Sequence, residues 1–409
     1  MSKADVFIFD ALRTPRGMGR PAKGDKPGGA LSAVRPHQLV VGLIEAIEQR
    51  NPGMGDHVAC LALGCVGQVG VQGGHIALVS RLASGLSDGV PAKSLNNCCV
   101  SGLTAVADAA TKTRSGERGL QLAGGVESLS QVGFLADKAD YYSNVELMRA
   151  IKWSPPVMGA ELIATLEGYS KAELDAVTLL SHQRAHAAWQ NDVYAASVEP
   201  VRNAAGDVLL DRDELVRKDL TVDALAAMQP AFAEQGAMGF DAAMLAEHGD
   251  LELINHVHSI ANCPGMADGA ALILLGSRKA GEAAGLEPRA RIVAMEETAD
   301  DPVLQLTAGF KAMERLMAKT GLQIGDFDRI EFMEAFAAVP LKFERDYGPD
   351  PDKVNVNGGH LAMGHPMGAT GAILLTTLVH ELAQCDGELG IVVAQAGGGI
   401  GSAMIVERA

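Results

Sequence analysis

The first residue that could take part in catalysis is a cysteine at the junction between a polar and an apolar stretch of the sequence. The stretch from Leu95 to Ala110 starts polar and tight and then becomes small, apolar and helix-forming, which is typical of a strand-to-helix turn. Cys99 therefore lies near the first turn of a helix, where unpaired backbone N–H groups and the helix dipole favour thiolate over thiol. This position suits a nucleophile. The alternative is a buried cysteine that acts only as a small hydrophobic side chain.

A second candidate is the histidine in the sequence Gly364-His365-Pro366, which stands between a flexible and a rigid residue just before a helix. A histidine can take a proton from a thiol near neutral pH. A cysteine and a histidine from distant segments commonly form an activated nucleophile. The alternative is that His365 only caps its helix.

Two further patterns are weaker evidence for a catalytic or binding site. His256 and His258 would share one face of a strand, but no nearby cysteine or acidic ligand completes a zinc signature, so we expect a structural role and no metal. The glycine-rich runs at 64–74 and 397–401 match neither the dinucleotide-binding fingerprint nor the P-loop. They indicate close backbone packing or N–H groups directed at an oxyanion.

The elements that must position these residues alternate between strand and helix. Strands are predicted at 6–9, 61–64 and 119–123, and helices at 39–50 and 75–85, which indicates an α/β fold with a mainly parallel sheet. From 126 to 257 this alternation gives way to loops, charged turns and helices such as 171–190. We interpret that region as an inserted loop domain.

A second α/β stretch echoes the first. The segment 354–375 is again a polar turn that opens a small-residue helix, and the strand 390–394 runs into glycines as 119–123 does. Duplicated halves would place two matching sets of loops side by side. We therefore expect one half at 1–125 plus about 258–287, the loop domain at 126–257, and the second half at 288–409.

Composition limits the class of protein. A chain of 409 residues that is 48% hydrophobic and 21% charged fits a soluble globular protein with a large core. The net charge of −16 argues against general nucleic-acid binding, although a local basic patch could still bind an anionic cofactor. No apolar run is long enough for a membrane span, and the N-terminus has no secretory or transit pattern. Six scattered cysteines favour a reducing, cytoplasmic location.

A series of spaced motifs then makes the chain resemble the thiolases, the CoA-dependent acyl transferases that make or cleave 3-oxoacyl-CoA. The resemblance covers essentially all 409 residues. It implies a five-layered αβαβα fold of two duplicated halves with a loop domain, and a homodimer or homotetramer. The motifs are Arg13-Thr14-Pro15, Asn96-x-x-Cys99-x-Ser101-Gly102, Gly124-Gly125-x-Glu127-Ser128, Met158-Gly159, Asp268-Gly269-Ala270-Ala271, Glu334-Ala335-Phe336-Ala337, Asn355-x-Asn357-Gly358-Gly359, Gly364-His365-Pro366-x-Gly368-Ala369-Thr370-Gly371 and Gly397-Gly398-Gly399-x-Gly401.

The resemblance also implies roles for single residues. Cys99 is expected to carry the acyl group and His365 to be the base that activates it. Arg217 matches a family arginine that packs on the adenine of CoA, a contact that a planar cation suits. The backbone N–H groups of Gly397 and Gly398 are candidates for an oxyanion site. Coenzyme A and acyl-CoA are expected as substrates, with no permanently bound cofactor.

Two positions depart from the family pattern. Thiolases usually have Asn or His immediately before Glu-Ala-Phe, where it orients a water in the oxyanion hole, but here Met333 cannot donate a hydrogen bond. Thiolases also have a second cysteine before the last glycine run, which removes or returns the α-proton of acetyl-CoA, and here Gln395 stands there. Candidates to replace that cysteine are His360, where a small residue is usual, and Cys98, which should point away from the site.

The sequence therefore predicts a thiolase-type acyltransferase that cleaves or forms 3-oxoacyl-CoA through an acyl-thioester on Cys99. One alternative is altered chemistry on the same thioester, such as acyl transfer, hydrolysis or a cleavage that needs no second cysteine. Another is a non-catalytic acyl-CoA-binding subunit. The chain between Phe232 and Asn262 is also longer than in short family members, which affects either the acyl pocket or a subunit contact.

Overall fold

The computed structural model describes residues 5–409. Its strands are β1 (Val6–Arg13), β2 (Gly17–Met18), β3 (Val58–Gly64), β4 (Ala92–Leu95), β5 (Leu120–Ser128), β6 (Val201–Arg202), β7 (Val208–Leu210), β8 (Ala267–Gly276), β9 (Ala290–Ala299), β10 (Arg329–Phe332), β11 (Leu389–Ala396) and β12 (Ile400–Arg408). Its α-helices are α1 (Pro36–Arg50), α2 (Ile76–Ala83), α3 (Ser101–Arg114), α4 (Asp140–Ser143), α5 (Val145–Ala150), α6 (Pro156–Glu167), α7 (Lys171–Gln190), α8 (Val222–Ala226), α9 (Ala233–Gln235), α10 (Asp241–Glu247), α11 (Arg278–Ala283), α12 (Ala308–Thr320), α13 (Ala338–Tyr347), α14 (His360–Met363) and α15 (Thr370–Gln384).

Ten of the strands form one sheet in the order β10-β11-β12-β9-β1-β8-β5-β3-β4, with β2 beside β8. Within the described chain, the parallel pairs of this sheet are β3 with β4, β3 with β5, and β10 with β11. The pairs around β1, β8, β9 and β12 are antiparallel. The prediction of a mainly parallel sheet is therefore wrong, because the chain returns from the loop domain through β8, which inserts antiparallel between β5 and β1.

Each half of the sheet is covered by helices on both faces, so its central strands are buried along their whole length rather than at alternate residues. Every residue of β1, β5 and β8 is buried. Helices α3 and α15 pack on each other in the middle, α3 against β3 and β5, and α15 against β10 and β11. Helix α1 covers the outer face of the first half and α12 that of the second. The result is the predicted five-layered αβαβα arrangement.

The loop domain forms where the alternation of strand and helix stops. It contains the helix α7, which coincides with the predicted helix 171–190 and begins with a capping box on Ser170 and Glu173. We keep the division into two halves and a loop domain as a proposal, with the first boundary moved beyond Ser128 because β5 continues to that residue. Among residues 5–409, no helix combines the length and apolarity that crossing a membrane requires.

Candidate active site

Two loops meet where the central helices α3 and α15 cross, and glycines allow the close approach. A Cβ atom on Gly102 would lie 2.8 Å from the carbonyl oxygen of Gly368, and one on Gly371 would lie 2.7 Å from Cβ of Leu103. Cys99 stands three residues before Gly102 and His365 stands three residues before Gly368. The crossing therefore brings both predicted catalytic residues to the same end of the central helix pair.

The turn that carries Cys99 is held by side chains. Helix α3 begins at Ser101, so Cys99 lies just outside it rather than in its first turn. The Ser101 hydroxyl donates to the carbonyl of Cys98 at 2.6 Å and accepts from the N–H of Asn97 at 2.8 Å. Cys98 has a left-handed backbone with φ of 49° and is further fixed by the Asn96 side chain. A strained turn held in this way fixes the direction of the Cys99 thiol.

The surroundings of Cys99 move its pKa in the direction opposite to the one that the nearby helix terminus predicts. Burial raises the pKa of the Cys99 thiol well above its ordinary value, and the neighbouring Cys98 and Glu127 act in the same direction. The backbone N–H groups of Gly397 and of Cys99 itself lower that pKa by hydrogen bonding to sulfur, but they do not outweigh burial. Cys99 is a thiol at rest, and its proton must be removed during the reaction.

His365 is anchored at its backbone and at one ring nitrogen. Its backbone N–H donates to the carbonyl of Gly265 at 2.7 Å. Its ring nitrogen Nδ1 forms a hydrogen bond with Oγ1 of Thr370, the first residue of α15, at 2.7 Å. The guanidinium of Arg16 donates to the carbonyl of Gly364 at 2.9 Å and holds the same loop. Burial lowers the pKa of His365 to about 3, and the charge of Arg16 acts in the same direction. Within residues 5–409 the ring hydrogen bond of His365 is the one at Nδ1, so a neutral imidazole here can accept a proton at Nε2.

His360 lies next to His365 in an unusual environment. The two rings are 5.7 Å apart between centroids and perpendicular. His360 is buried, and neither of its ring nitrogens has a hydrogen-bond partner within residues 5–409. Burial, helped by Arg16, His365 and Arg13, lowers its pKa well below the ordinary value. His360 is therefore a neutral imidazole with two uncommitted nitrogens beside the candidate base.

The two positions that depart from the family pattern touch each other. The side-chain amide of Gln395, on β11, donates to the carbonyl of Met333 just after β10. Its Oε1 faces Gly309 at the start of α12 and has no hydrogen-bond partner in the described chain. The Met333 side chain is buried in the central hydrophobic core. Neither side chain can move a proton, so an acid or base for the α-carbon must come from elsewhere.

The glycine run after β11 is held by Gln305, a residue that no sequence motif indicated. The N–H of Gly397 is one of the groups that lower the pKa of the Cys99 thiol. The N–H of Gly398 donates to Oε1 of Gln305 at 3.2 Å, and Nε2 of Gln305 donates to Ser154. Gln305 is buried with a left-handed φ of 58°, so its backbone is strained to reach this position. Gln305 thus holds the backbone of this glycine run in place through Gly398.

Glu127, at the end of β5, joins loops from both halves of the molecule. Its buried carboxylate accepts from the N–H groups of Val66 and Gly67 at 2.9 and 3.0 Å. It also accepts from the N–H of Gly368 at 3.0 Å and from the Gln72 amide at 2.7 Å. Burial raises the pKa of Glu127 although these donors oppose the shift. This carboxylate ties the turn after His365 to the first half.

Arg217 lies in the loop domain, exposed to solvent. Its backbone N–H donates to Nδ1 of His182 on α7 at 3.0 Å. Earlier in the same segment Asp213 forms a buried bidentate pair with Arg13, at 2.8 and 2.9 Å, and accepts from the N–H of Arg16 at 2.8 Å. The segment that carries Arg217 is therefore tied to the part of the chain that supports the His365 loop.

The prediction that His256 and His258 share one face of a strand is wrong. The segment is not a strand, so the two rings do not share a strand face. Instead both rings approach the buried carboxylate of Glu161 on α6, with His258 Nδ1 at 2.9 Å and His256 Nδ1 at 3.6 Å. His256 also pairs with Asp241 at 3.1 Å. Within the described residues, no group of three or more His, Cys, Asp or Glu side chains could hold a metal ion.

The fold and the arrangement of the site fit an acyl-transfer enzyme. Comparison with known proteins specifies the class. The family model "Thiolase, N-terminal domain" matches residues 6–243 and "Thiolase, C-terminal domain" matches residues 286–408. The chain therefore belongs to the thiolase family, and it is an acyltransferase that cleaves or forms 3-oxoacyl-CoA.

Individual relatives agree with this assignment. The chain is 34% identical to the beta-ketoadipyl-CoA thiolase of Pseudomonas aeruginosa, over 99% of each protein. It is 33% identical to the 3-oxoadipyl-CoA/3-oxo-5,6-dehydrosuberyl-CoA thiolase of Escherichia coli, again over 99% of each. The crystal structure of the Bacillus anthracis acetyl-CoA acetyltransferase superposes with a TM-score of 0.83 at 28% identity, covering 100% of this chain and 99% of that one.

Proposed function

We propose that the chain cleaves 3-oxoacyl-CoA through a covalent acyl group on Cys99. The Cys99 sulfur attacks the C3 carbonyl, the C2–C3 bond breaks, and acetyl-CoA leaves after C2 gains a proton. A second CoA thiol then takes the acyl group from Cys99, and its proton returns to the cysteine. The observation that carries this proposal is that Cys99 and His365 each stand three residues before the glycines at which α3 and α15 approach each other.

His365 is the proposed base in both half-reactions. Because Nδ1 is occupied by Thr370, Nε2 is the nitrogen that accepts the Cys99 proton as the carbon–sulfur bond forms. The low pKa of His365 keeps this nitrogen unprotonated before substrate binds. The N–H of Gly397 donates to the oxyanion that forms at C3, which is the role of an oxyanion-hole donor.

His360 is the proposed replacement for the missing second cysteine. A neutral imidazole with two free nitrogens can accept a proton at one and release a proton from the other. His360 would pass the proton that His365 took from Cys99 to C2 of the leaving acetyl-CoA, directly or through one water. In the condensation direction the same path removes a proton from the methyl group of acetyl-CoA.

CoA binds as a substrate in this proposal, without a permanent cofactor. Arg217 would contact its adenine and phosphates, because this guanidinium is exposed at the surface of a segment held by the Arg13–Asp213 pair. The relatives named for 3-oxoadipyl-CoA and 3-ketoacyl-CoA support a 3-oxoacyl substrate. All six cysteines are free, which supports a reducing compartment such as the cytoplasm.

We also propose a homodimer or homotetramer. β4 is an edge strand, so one side of its backbone is available for pairing with another chain. The neighbouring helix α2 exposes Val79 and Leu82, the latter at 61% of its surface. An open strand beside exposed apolar side chains supports a contact with a second copy. Light scattering coupled to size-exclusion chromatography would measure the mass.

The acyl-enzyme proposal is tested by exchange of labelled CoA into acetyl-CoA, which requires transfer of the acetyl group to the enzyme and back. The variants Cys99→Ala and His365→Ala should lose this exchange. Cys98→Ala is the matched control, since it removes the adjacent thiol and should keep the exchange. Exchange that persists in Cys99→Ala would contradict the assignment of the nucleophile.

A further inference from the structure

The backbone that carries His365 depends on contacts from other segments of the chain. Gly364, the residue before His365, has a left-handed φ of 90°, a conformation that glycine adopts freely. Two carbonyl groups anchor this backbone. The carbonyl of Gly265 accepts from the N–H of His365, and the carbonyl of Gly364 accepts from the guanidinium of Arg16. The groups that hold Gly265 and Arg16 therefore also hold the candidate base.

One short segment of the loop domain, residues 213–217, lies against both anchors. The side chain of Leu215 occupies the space beside the two glycines. A Cβ atom on Gly265 would overlap its Cδ2, and one on Gly364 would lie 3.2 Å from its Cδ1. A displacement of Leu215 would therefore alter the packing at both carbonyl groups that anchor His365.

Buried charges at the start of the segment fix its position. Asp213 accepts from both terminal nitrogens of the Arg13 guanidinium, at 2.8 and 2.9 Å. It also accepts from the backbone N–H of Arg16 at 2.8 Å, and the N–H of Glu214 donates to the carbonyl of Arg16 at 2.9 Å. Burial opposes ionisation of Asp213, but the charges of Arg13 and Arg16 outweigh it and lower the pKa of this carboxyl. The segment and the backbone of Arg16 are thus held together by a carboxylate.

The other end of the segment reaches the surface at Arg217. Val216 packs against a hydrophobic cluster that contains Ala362 and Met363, the last two residues of α14. The backbone N–H of Arg217 donates to Nδ1 of His182, a buried residue of α7, and the Arg217 side chain is exposed. The exposed guanidinium therefore stands at one end of a segment whose other residues contact the loop of the candidate base.

We propose that residues 213–217 are a positioning segment for His365, so that binding of the nucleotide end of CoA to Arg217 speeds acetyl transfer to Cys99. The inference rests on the proposed roles of these three residues. An anion held by the Arg217 guanidinium restrains the segment, and the segment restrains the His365 loop. Binding energy from a part of the substrate that does not react is used in this way to orient the base. Because a misplacement of about 1 Å can cost about 10²-fold in rate, the nucleotide should raise the rate constant and not only the affinity.

The experiment supplies the two parts of the substrate separately. S-acetyl-pantetheine has the thioester without the nucleotide, and adenosine 3′,5′-bisphosphate has the nucleotide without the thioester. Rapid quenching followed by intact-mass measurement gives the rate constant for acetylation of Cys99 at saturating thioester. We expect acetyl-pantetheine to react about 10²-fold more slowly than acetyl-CoA, and adenosine bisphosphate to raise its rate constant by about 10-fold or more.

The variant Leu215→Ala tests the segment itself. It removes the side chain that lies against Gly265 and Gly364, while Arg217 keeps its hydrogen bond to His182. In calorimetry it should bind adenosine bisphosphate as tightly as the parent, but the nucleotide should then raise the acetylation rate by less than about twofold. Leu210→Ala is the matched control, because Leu210 is a half-buried leucine of β7 that packs against the core of the first half. It should keep the full stimulation.

Three results would overturn the inference. One is a rate constant for acetyl-pantetheine that adenosine bisphosphate leaves unchanged, which would limit the nucleotide to a role in binding. The second is full stimulation in Leu215→Ala. The third is the failure of adenosine bisphosphate to bind the parent protein. If neither thioester acetylates Cys99, the catalytic proposal fails and this inference fails with it. If acetylation proceeds without stimulation, the catalytic proposal stands and only the positioning role is lost.

Discussion

Replacing His360 with alanine should separate the two proton transfers of the reaction. The residue is buried beside His365, and both of its ring nitrogens are without partners in residues 5–409. If His360 carries the proton to and from the α-carbon, its loss should slow that step by about 10²–10⁴, the usual effect of removing a general acid or base. Transfer of an acetyl group to Cys99 should continue, because that step uses His365.

The stability of the variant can be estimated from the same burial. Truncating a large buried side chain costs about 2–5 kcal/mol through lost contacts and the cavity left behind. Removing two buried polar atoms that lack partners returns about 1–3 kcal/mol for each. These effects oppose each other and are of similar size, so the free energy of unfolding of His360→Ala should stay within about 4 kcal/mol of the parent. Lost activity would then not be explained by unfolding.

The assay is deuterium incorporation into the methyl group of acetyl-CoA in D₂O, followed by NMR, together with exchange of labelled CoA. We expect His360→Ala to keep CoA exchange and to lose most deuterium incorporation. The matched control is His380→Ala on α15, whose Nε2 hydrogen-bonds the carbonyl of Ala11 at 2.8 Å in the core. It should lower stability but keep both exchanges. Deuterium incorporation at the parental rate in His360→Ala would refute the relay through this residue.

Three other predictions follow from the surroundings of the site. The pKa of His365 is about 3 when folded and near 6.5 when unfolded, so the unfolded chain binds the extra proton as pH falls. His365 should then cost up to about 1.4 kcal/mol of stability per pH unit below 6.5, and urea titrations should show a shallower pH slope in His365→Gln. Gln305→Ala releases the N–H of Gly398 and should slow CoA exchange by about 10-fold, less than direct loss of an oxyanion donor. An unchanged rate would contradict that role. Glu127→Gln places an amide among five hydrogen-bond donors and should lower the free energy of unfolding by about 3 kcal/mol, measured in urea.

Much of the fold was accessible from the sequence because local patterns determine it. The capping box and the length of α7 are determined by consecutive residues, and the small residues of α3 and α15 predict close helix packing. The order of strands was harder, since the antiparallel insertion of β8 between β5 and β1 depends on where the chain returns after the loop domain. No local signal contains that information.

The candidate site, like the fold, could be predicted from the sequence only in part. Cys99 and His365 stand in recognisable motifs, but the ionisation of Cys99 was predicted from the helix terminus alone and burial reversed it. Gln305 could not be found from sequence, because it supports Gly398 from a segment without a motif. The grouping of His256 and His258 around Glu161 likewise depends on two segments almost a hundred residues apart.

The central claim is that Cys99 carries the acyl group during carbon–carbon cleavage. The most direct measurement is an intact-mass time course with acetoacetyl-CoA and free CoA, in which acetyl-CoA is quantified in parallel. We predict an acetyl adduct that is absent in Cys99→Ala, with two acetyl-CoA formed for each acetoacetyl-CoA consumed. An adduct that forms from acetyl-CoA without any cleavage of acetoacetyl-CoA, or cleavage that continues in Cys99→Ala, would contradict the account.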